Sequence, residues 1–316
     1  MIIALVMIQC KPDKKKAIDT TNLPKATVPR IDADSAYNFV LQQTQFGVRV
    51  PGTDGHAKTK DWIVNRMKSY GAEVSVQEFK ASFLGKKNIP SFNIIAKINP
   101  DIERRVILFA HWDTRLIAEK DPDPSKQNQP IDGAIDGASG VAGLLEIARI
   151  LQSNPINLGV DFVFFDAEDQ GNNNDNASWC LGSQYWSKSV KDDKNKPEFG
   201  ILLDLIGAKG ATYPVEKYSF QFAPTIVRKV WALAANMGKS NLFLDQIGGE
   251  IMDDHYYVNL IAGIPTIDII ETNPYKGFGD YHHTHADNMD ALDRDNLAAV
   301  IQVVTAALYK TSDGTL

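Results

Sequence analysis

The sequence predicts an α/β fold, a single domain with a central, mostly parallel mixed sheet that helices cover on both faces. Apolar runs of strand length alternate with amphipathic segments of helix length, a pattern typical of parallel strands joined by helices. An alternating, extended stretch at residues 73–79 predicts an antiparallel edge strand. The chain has 316 residues, of which 44% are hydrophobic, so it can form one large core.

The strands are predicted from short apolar runs. The run at residues 160–165 is interrupted only by Asp161, and three acids follow it within four positions. This is expected of a buried strand that ends at the edge of a sheet where ligands bind. The other strands are predicted at residues 73–79, 92–98, 105–110, 200–203 and 265–270.

Helices are predicted where apolar residues recur at helical spacing. Ser35 could cap the first helix, and Gly71 would stop the second. The segment after residues 135–140 carries a strong apolar face, and the small residues at its start allow close approach. The helices predicted in this way cover residues 35–44, 57–69, 141–151, 183–190, 223–237, 253–260 and 291–308.

The N-terminal segment differs from the rest of the chain. Residues 2–8 are wholly apolar and precede Gln9 and Cys10, but seven apolar residues are too few to cross a bilayer. We interpret residues 1–10 as a signal or lipoprotein-like segment, residues 11–33 as a flexible tether and residues 34–316 as the functional domain. This predicts export to the bacterial periplasm, with Cys10 as a candidate lipid anchor. The alternative is an ordinary frayed terminus.

Charge and cysteine content exclude several classes of protein. The formal net charge is −6, and no basic stripe is visible, so nucleic acid is not expected as a partner. The two cysteines cannot form a disulfide framework or a cysteine-based metal site.

Acids and histidines occur at the ends of the predicted strands and at loop-to-helix junctions. One such residue would mean little, because Asp136 could be a plain helix cap and the acids after residue 165 a solvated turn. Together they form a pattern. Oxygen and imidazole ligands without cysteine suit a catalytic zinc ion with one open position. The candidates are His111, Asp113, Asp136, Glu168, Asp169, Asp204, Asp253, Asp268 and His283.

Several motifs resemble those of the glutaminyl-peptide cyclotransferases, or glutaminyl cyclases, of the animal and bacterial type. This family has the zinc aminopeptidase fold. The matching motifs cover roughly residues 35–310 in the family's order. They are His-Trp-Asp-Thr at 111–114, Asp-Gly-Ala-Ser-Gly at 136–140, the acids at 164–169, Leu-Asp-Leu-Ile-Gly-Ala at 203–208, Asp-Asp-His at 253–255, and His-Thr with Asp-Asn at 283–288.

The resemblance implies a role for each matching residue. One zinc ion per chain would be held by Asp136, Asp169 and His283. Glu168 would be the proton shuttle, and Asp204 and Asp253 an acidic pair beside the metal. Trp179 and Phe278 would line a substrate pocket with Asp268 at its edge. The substrates would be peptides or proteins with N-terminal glutamine, and we expect a monomer.

The sequence departs from the animal pattern at three positions. Asp169 replaces a glutamate, so a backbone shift must compensate for its shorter side chain. His282 and Asp268 stand where the animal enzymes carry tryptophan and histidine.

Two alternatives stay open. A di-zinc aminopeptidase on the same fold would bind a second zinc ion through His111, Asp136 and Asp204, with Glu168 activating water. An exported binding protein with a degenerate site is the other, since fold does not fix function. Metal stoichiometry distinguishes the cyclase from the aminopeptidase, because the cyclase needs one zinc ion and the peptidase needs two.

Overall fold

The described part of the chain contains a six-stranded central sheet and a small two-stranded sheet. A computed structural model describes residues 25–273 and 277–316. The strands are β1 (Glu73–Phe83), β2 (Lys86–Ile98), β3 (Arg105–His111), β4 (Gly159–Phe165), β5 (Gly200–Asp204), β6 (Tyr213–Val215), β7 (Phe243–Ile247) and β8 (Thr266–Ile270). The central sheet has the order β1-β2-β4-β3-β5-β8, and β6 pairs with β7 in the small sheet.

The directions of the strands confirm a mostly parallel mixed sheet. Strand β1 pairs antiparallel with β2, and β2 pairs antiparallel with β4, so the predicted antiparallel edge is present. Strands β4, β3, β5 and β8 are parallel. His111 pairs with Phe165, so the carboxyl ends of β3 and β4 are level. The strands that follow β3 lie on either side of it, which places a ligand crevice beyond these ends.

Helices cover both faces of the central sheet, as predicted. They are α1 (Ala33–Gln45), α2 (Asp54–Ser69), α3 (Ala138–Ser153), α4 (Leu181–Val190), α5 (Lys217–Phe222), α6 (Pro224–Asn236), α7 (Asp254–Tyr257) and α8 (Arg294–Ser312). Leu145 of α3 and Val300 of α8 share one core with Leu108 of β3. On the other face, Trp186 of α4 packs edge-on against Phe109 and Phe165.

Glycines at the start of α3 allow the helix to sit directly on the sheet. A Cβ atom at Gly140 would lie 2.2 Å from the carbonyl oxygen of Leu203 in β5, so no side chain fits there. Gly137, with φ of 92°, adopts a conformation that other residues rarely accept. This close packing brings Asp136, just before α3, to the end of β5.

Some elements differ from the prediction. Strands β1 and β2 are longer than predicted because they form a hairpin, whose turn has positive φ at Leu84 and Gly85. Strands β6 and β7 and helix α5 are too short for a periodic pattern and were not predicted. Helix α7 has only four residues, and Val258–Ala262 continues it as a π-helical segment.

The chain before α1 lies against the last helix. Asp32 caps α1, where the sequence suggested Ser35. The backbone N–H of Ala26 donates to Asp313, and that of Ile31 donates to Gln302, so the end of the predicted tether contacts the domain. The predicted signal-like segment and Cys10 lie outside the described residues. Across residues 25–273 and 277–316, no helix is both long and apolar enough to span a bilayer.

Candidate active site

A cavity of about 480 Å³ opens at the carboxyl ends of the parallel strands. Its size is typical of a small-molecule site. All the residues to which the resemblance assigns a role, except Asp268, line it; they are Asp136, Glu168, Asp169, Trp179, Asp204, Asp253, Phe278 and His283. Asp268 is fully buried and is not brought to the cavity.

Asp136, Asp169 and His283 converge at one side of the cavity. Nε2 of His283 lies 3.1 Å from Oδ1 of Asp169 and 3.7 Å from Oδ2 of Asp136. Oδ2 of Asp169 is buried and has no hydrogen-bond partner within the described chain. Nε2 of His283 faces an oxygen of each carboxylate, and carboxylate and imidazole ligands suit a divalent cation. Such a site fits zinc.

His111 forms a second group that shares Asp136. Its Nε2 lies 3.1 Å from Oδ1 of Asp136 and 3.1 Å from Oδ1 of Asp204. Burial lowers the pKa of His111, but Asp113, Asp136 and Asp204 together outweigh it and hold that pKa well above its ordinary value. His111, Asp136 and Asp204 could also hold a metal ion. The geometry therefore offers two adjoining metal-binding groups joined by one carboxylate.

Glu168 lines the cavity, with its Oε2 3.9 Å from Nδ1 of His111. Cys180 Sγ donates a hydrogen bond of 3.2 Å to its Oε1. Burial raises the pKa of Glu168 well above its ordinary value; the positive charge of His111 opposes this, and the charges of Asp253 and Asp169 add to it. A carboxyl group with a raised pKa holds a proton more readily than an ordinary glutamate does, which suits a group that takes up and releases a proton. Glu168 is thus suited to proton transfer.

The turn that carries Glu168 and Asp169 is held by Asp113. Oδ1 of Asp113 accepts a hydrogen bond of 3.0 Å from the backbone N–H of Glu168, and Oδ2 accepts one of 3.3 Å from that of Asp169. The amide of Gln170 also donates to Asp113, at 2.9 Å. Ala167 adopts a φ of 55°, which turns the chain sharply after β4. The side chains of the adjacent residues Glu168 and Asp169 can therefore point in different directions.

Buried acids extend behind the cavity from Asp253. Burial first, and then the charge of Asp204, raises the pKa of Asp253 to about 7. Burial and the charge of Asp253 raise the pKa of Asp268 well above its ordinary value. Nδ1 of His255 lies 3.5 Å from Asp268, while its Nε2 contacts Glu216 at 2.9 Å. Neither His255 nor Glu216 was assigned a role from the sequence.

Asp253→Asn is expected to raise the melting temperature of the metal-free protein at pH 8. The pKa of Asp253 is higher in the folded state than in the unfolded state. Its contribution to folding stability is therefore complete below about pH 4, and it is lost as the pH rises through about 7, because the buried carboxyl group must then ionise. An asparagine does not ionise and still accepts the hydrogen bond that the backbone N–H of Asp254 donates. Thermal unfolding with a chelator, from pH 4 to pH 8, tests this. A gain that does not depend on pH would contradict it.

Aromatic rings form the walls of the cavity. The ring of Trp179 stacks on that of His283 with centroids 6.0 Å apart, and the guanidinium group of Arg115 lies over the Trp179 ring, 4.5 Å from its centroid. A Cβ atom at Gly171 would lie 2.0 Å from the indole, so only glycine leaves room for it. Phe278 stacks on His282 with centroids 4.3 Å apart.

The contacts of several supporting residues could not be predicted from the sequence. Asp287 accepts hydrogen bonds from the backbone N–H groups of Ile135 and Asp136, at 2.7 and 3.1 Å. Arg49 is fully buried and donates to the carbonyl oxygens before Asp136, at Asp132 and Gly133. Asp287 belongs to a matching motif, but nothing in the sequence showed which backbone it would hold.

Comparisons with known proteins agree with this geometry. Residues 93–308 match peptidase family M28. Among curated proteins, the glutaminyl-peptide cyclotransferase of Bos taurus is 26% identical over 297 residues, which cover 81% of this chain and 77% of that protein.

Solved structures are more similar. Glutaminyl cyclase of Bacteroides thetaiotaomicron, bound to N-acetylhistamine, is 42% identical with a TM-score of 0.87, over 90% of this chain and 99% of that one. A protein of Parabacteroides distasonis described as a Zn-dependent exopeptidase is 43% identical with a TM-score of 0.87, over the same shares of the two chains. The chain therefore belongs to peptidase family M28 and, within it, to the glutaminyl cyclases of the bacterial type.

Proposed function

We propose that the protein is a zinc-dependent glutaminyl-peptide cyclotransferase. It would convert the N-terminal glutamine of peptides and proteins to pyroglutamate and release ammonia. The observation that carries this proposal is the position of Glu168, a proton-transfer group with a raised pKa beside Asp136, Asp169 and His283 in one aromatic-walled cavity. The likeness to bacterial glutaminyl cyclases supports it.

Asp136, Asp169 and His283 would hold one zinc ion per chain. When bound, zinc supplies Lewis acidity toward the γ-carbonyl oxygen of the substrate glutamine. Two carboxylates and one neutral imidazole balance its charge. Oδ1 of Asp169, 3.1 Å from Nε2 of His283, supports the place of Asp169 in this set.

Glu168 would move the proton. The α-amine of the substrate forms a bond to the γ-amide carbon, and the bond between that carbon and the amide nitrogen breaks. Glu168 takes a proton from the attacking amine and gives it to the leaving nitrogen, which departs as ammonia. Cys180 orients the carboxyl group for this transfer through its hydrogen bond to Oε1.

The remaining side chains would position the substrate. Both reacting groups belong to one residue, so the cavity must only hold that residue in a bent conformation. Trp179 and Phe278 would confine its methylene groups and exclude water. Asp204 and Asp253 would bind the α-amine, and Asp268 would support Asp253 from behind, since it does not line the cavity.

A di-zinc aminopeptidase is the alternative, favoured by the group of His111, Asp136 and Asp204. That group would hold a second zinc ion, and Glu168 would activate water instead of moving the proton of an amine. The description of a similar protein as a Zn-dependent exopeptidase also favours this alternative.

One assay separates these functions. The purified protein is incubated with a peptide that begins with glutamine, and the masses of the products are determined by mass spectrometry. We expect the peptide to lose one ammonia and to remain otherwise intact. Release of free glutamine would establish the peptidase, and no reaction would overturn both enzymes.

Metal content gives an independent test of the same proposal. A chelator should abolish cyclisation, and activity should return in full with one equivalent of zinc. A requirement for two equivalents would favour the peptidase arrangement.

Export to the periplasm and lipidation of Cys10 complete the proposal and concern residues outside the described chain. A monomer is likewise proposed. Metabolic labelling with a fatty acid, compared between the native chain and Cys10→Ala, tests the anchor.

A further inference from the structure

Two adjacent histidines, His282 and His283, reach the candidate metal site in almost the same way. Their Nε2 atoms lie 3.9 and 3.7 Å from Oδ2 of Asp136. Their rings stack with centroids 3.7 Å apart, and both side chains are buried. Asp136, His282 and His283 together could hold a metal ion. Distance to Asp136 alone therefore does not determine which histidine is a ligand.

The loop after β3 contacts each histidine through a different residue. Oε1 of Glu119 lies 2.8 Å from Nδ1 of His283, and Nζ of Lys120 lies 2.6 Å from Nδ1 of His282. The backbone N–H of Lys120 donates to the carbonyl oxygen of His283 at 3.2 Å. These contacts join two loops that are more than 160 positions apart in the sequence.

The two contacts have opposite chemistry. An ionised glutamate only accepts hydrogen bonds, so Nδ1 of His283 must carry a proton, and the neutral ring then keeps a free lone pair on Nε2 for a metal ion. A lysine ammonium only donates, so Nδ1 of His282 must accept and the single ring proton sits on Nε2. A protonated nitrogen cannot bind a metal ion. The partner of the far ring nitrogen thus decides which histidine can be a ligand.

We propose that the neighbouring pair Glu119 and Lys120 selects His283 over His282 as the metal ligand by fixing opposite ring tautomers. Arg115 supports the selection, because its Nε donates to Oε2 of Glu119 at 2.7 Å and holds that carboxylate in place. This inference rests on the proposed metal site. Glu119 and Lys120 are positioning residues, since they act through the histidines.

A third contact of the same loop provides a matched control. Asp121 accepts hydrogen bonds from Nδ1 and from the backbone N–H of His285, at 2.8 and 2.9 Å. His285 does not line the cavity. Asp121→Asn therefore weakens the contact between the two loops without changing the hydrogen-bond partners of His282 and His283.

Long-range ¹H–¹⁵N correlation spectra of the zinc-loaded protein test the proposal. The chain has six histidines, which single substitutions assign. We expect His283 to be protonated at Nδ1 and to bind through Nε2, and His282 to be protonated at Nε2 alone. The opposite tautomer at either ring would overturn the proposal. In the metal-free protein, His283 has a carboxylate at each ring nitrogen, Glu119 at Nδ1 and Asp169 at Nε2, so Nε2 should also carry a proton until zinc displaces it, while His282 keeps its proton on Nε2. If added zinc leaves the His283 signals unchanged, the metal site fails, and the Nδ1 proton of His283 and the tautomer of His282 still test the selection by Glu119 and Lys120.

Variants then separate selection from simple loop packing. In Lys120→Met, His282 should exchange between tautomers while His283 keeps its own. In Glu119→Gln, zinc affinity measured against a chromophoric chelator should fall about 10–100-fold, the usual loss for a partner of a metal-binding histidine. Asp121→Asn should leave tautomers and affinity unchanged. If it lowers the affinity as much as Glu119→Gln does, loop packing explains the effect and the proposal fails. If Glu119→Gln does not fold, the spectra of the native protein and of Lys120→Met decide.

Discussion

Glu168→Gln is expected to lower kcat/KM by roughly 10²–10⁴-fold on a peptide that begins with glutamine. Glutamine has nearly the shape of glutamate, but it cannot accept the proton of the attacking amine or return it to the leaving nitrogen. Its amide can still pair with Cys180, which lies 3.2 Å from Oε1 of Glu168 in the native protein. The loss should therefore fall on kcat, while KM changes little.

Zinc content and a matched glutamate complete this experiment. The variant should bind one equivalent of zinc like the native protein, because Glu168 is not among the proposed ligands. Glu146 is also fully buried, but it does not line the cavity. It accepts a hydrogen bond of 2.8 Å from the backbone N–H of Asp32. Glu146→Gln should lower stability and leave kcat/KM unchanged. Native activity in zinc-loaded Glu168→Gln would refute the proton-transfer role.

The sequence was enough to place the ends of the parallel strands. Apolar runs with a sharp change to acids locate the carboxyl end of β4, and parallel pairing then brings Asp169 and Asp204 to one edge. That argument needs only local pattern and the general rule for open α/β sheets. The resemblance supplied the roles of residues that come from loops, such as His283.

The partners of these residues could not be predicted, for a physical reason. Glu119 contacts His283, and Asp287 holds the backbone of Asp136, across separations of more than 150 residues. Loops have no periodic pattern, so nothing in the sequence fixes which of many acids meets which donor. The position of Asp268 shows the same limit. Its place in β8 was predicted, but its burial behind Asp253 depends on the packing of α5 and α7.

Asp113→Asn is expected to reduce both activity and stability. Asp113 is fully buried and accepts three N–H donors, from the backbone of Glu168 and Asp169 and from Gln170. An asparagine replaces one acceptor oxygen with a donor, which leaves at least one buried N–H without a partner. This costs about 1–3 kcal/mol of unfolding free energy. The turn after β4 then shifts, and a displacement of about 1 Å at Glu168 can cost about 10²-fold in rate.

Asp161→Asn separates the two effects. Asp161 pairs with Arg105 in the buried part of β4, near the end of the sheet opposite to the cavity. Removing one partner of a buried pair costs about 3–5 kcal/mol. This variant should therefore lose at least as much stability as Asp113→Asn in urea unfolding, yet keep native kcat/KM in buffer where both are folded. Equal loss of activity in the two variants would mean that general destabilisation, and not the position of Glu168, explains the effect of Asp113. Loss of activity in Asp113→Asn alone would show that one buried carboxylate positions both the proton-transfer group and the neighbouring metal ligand.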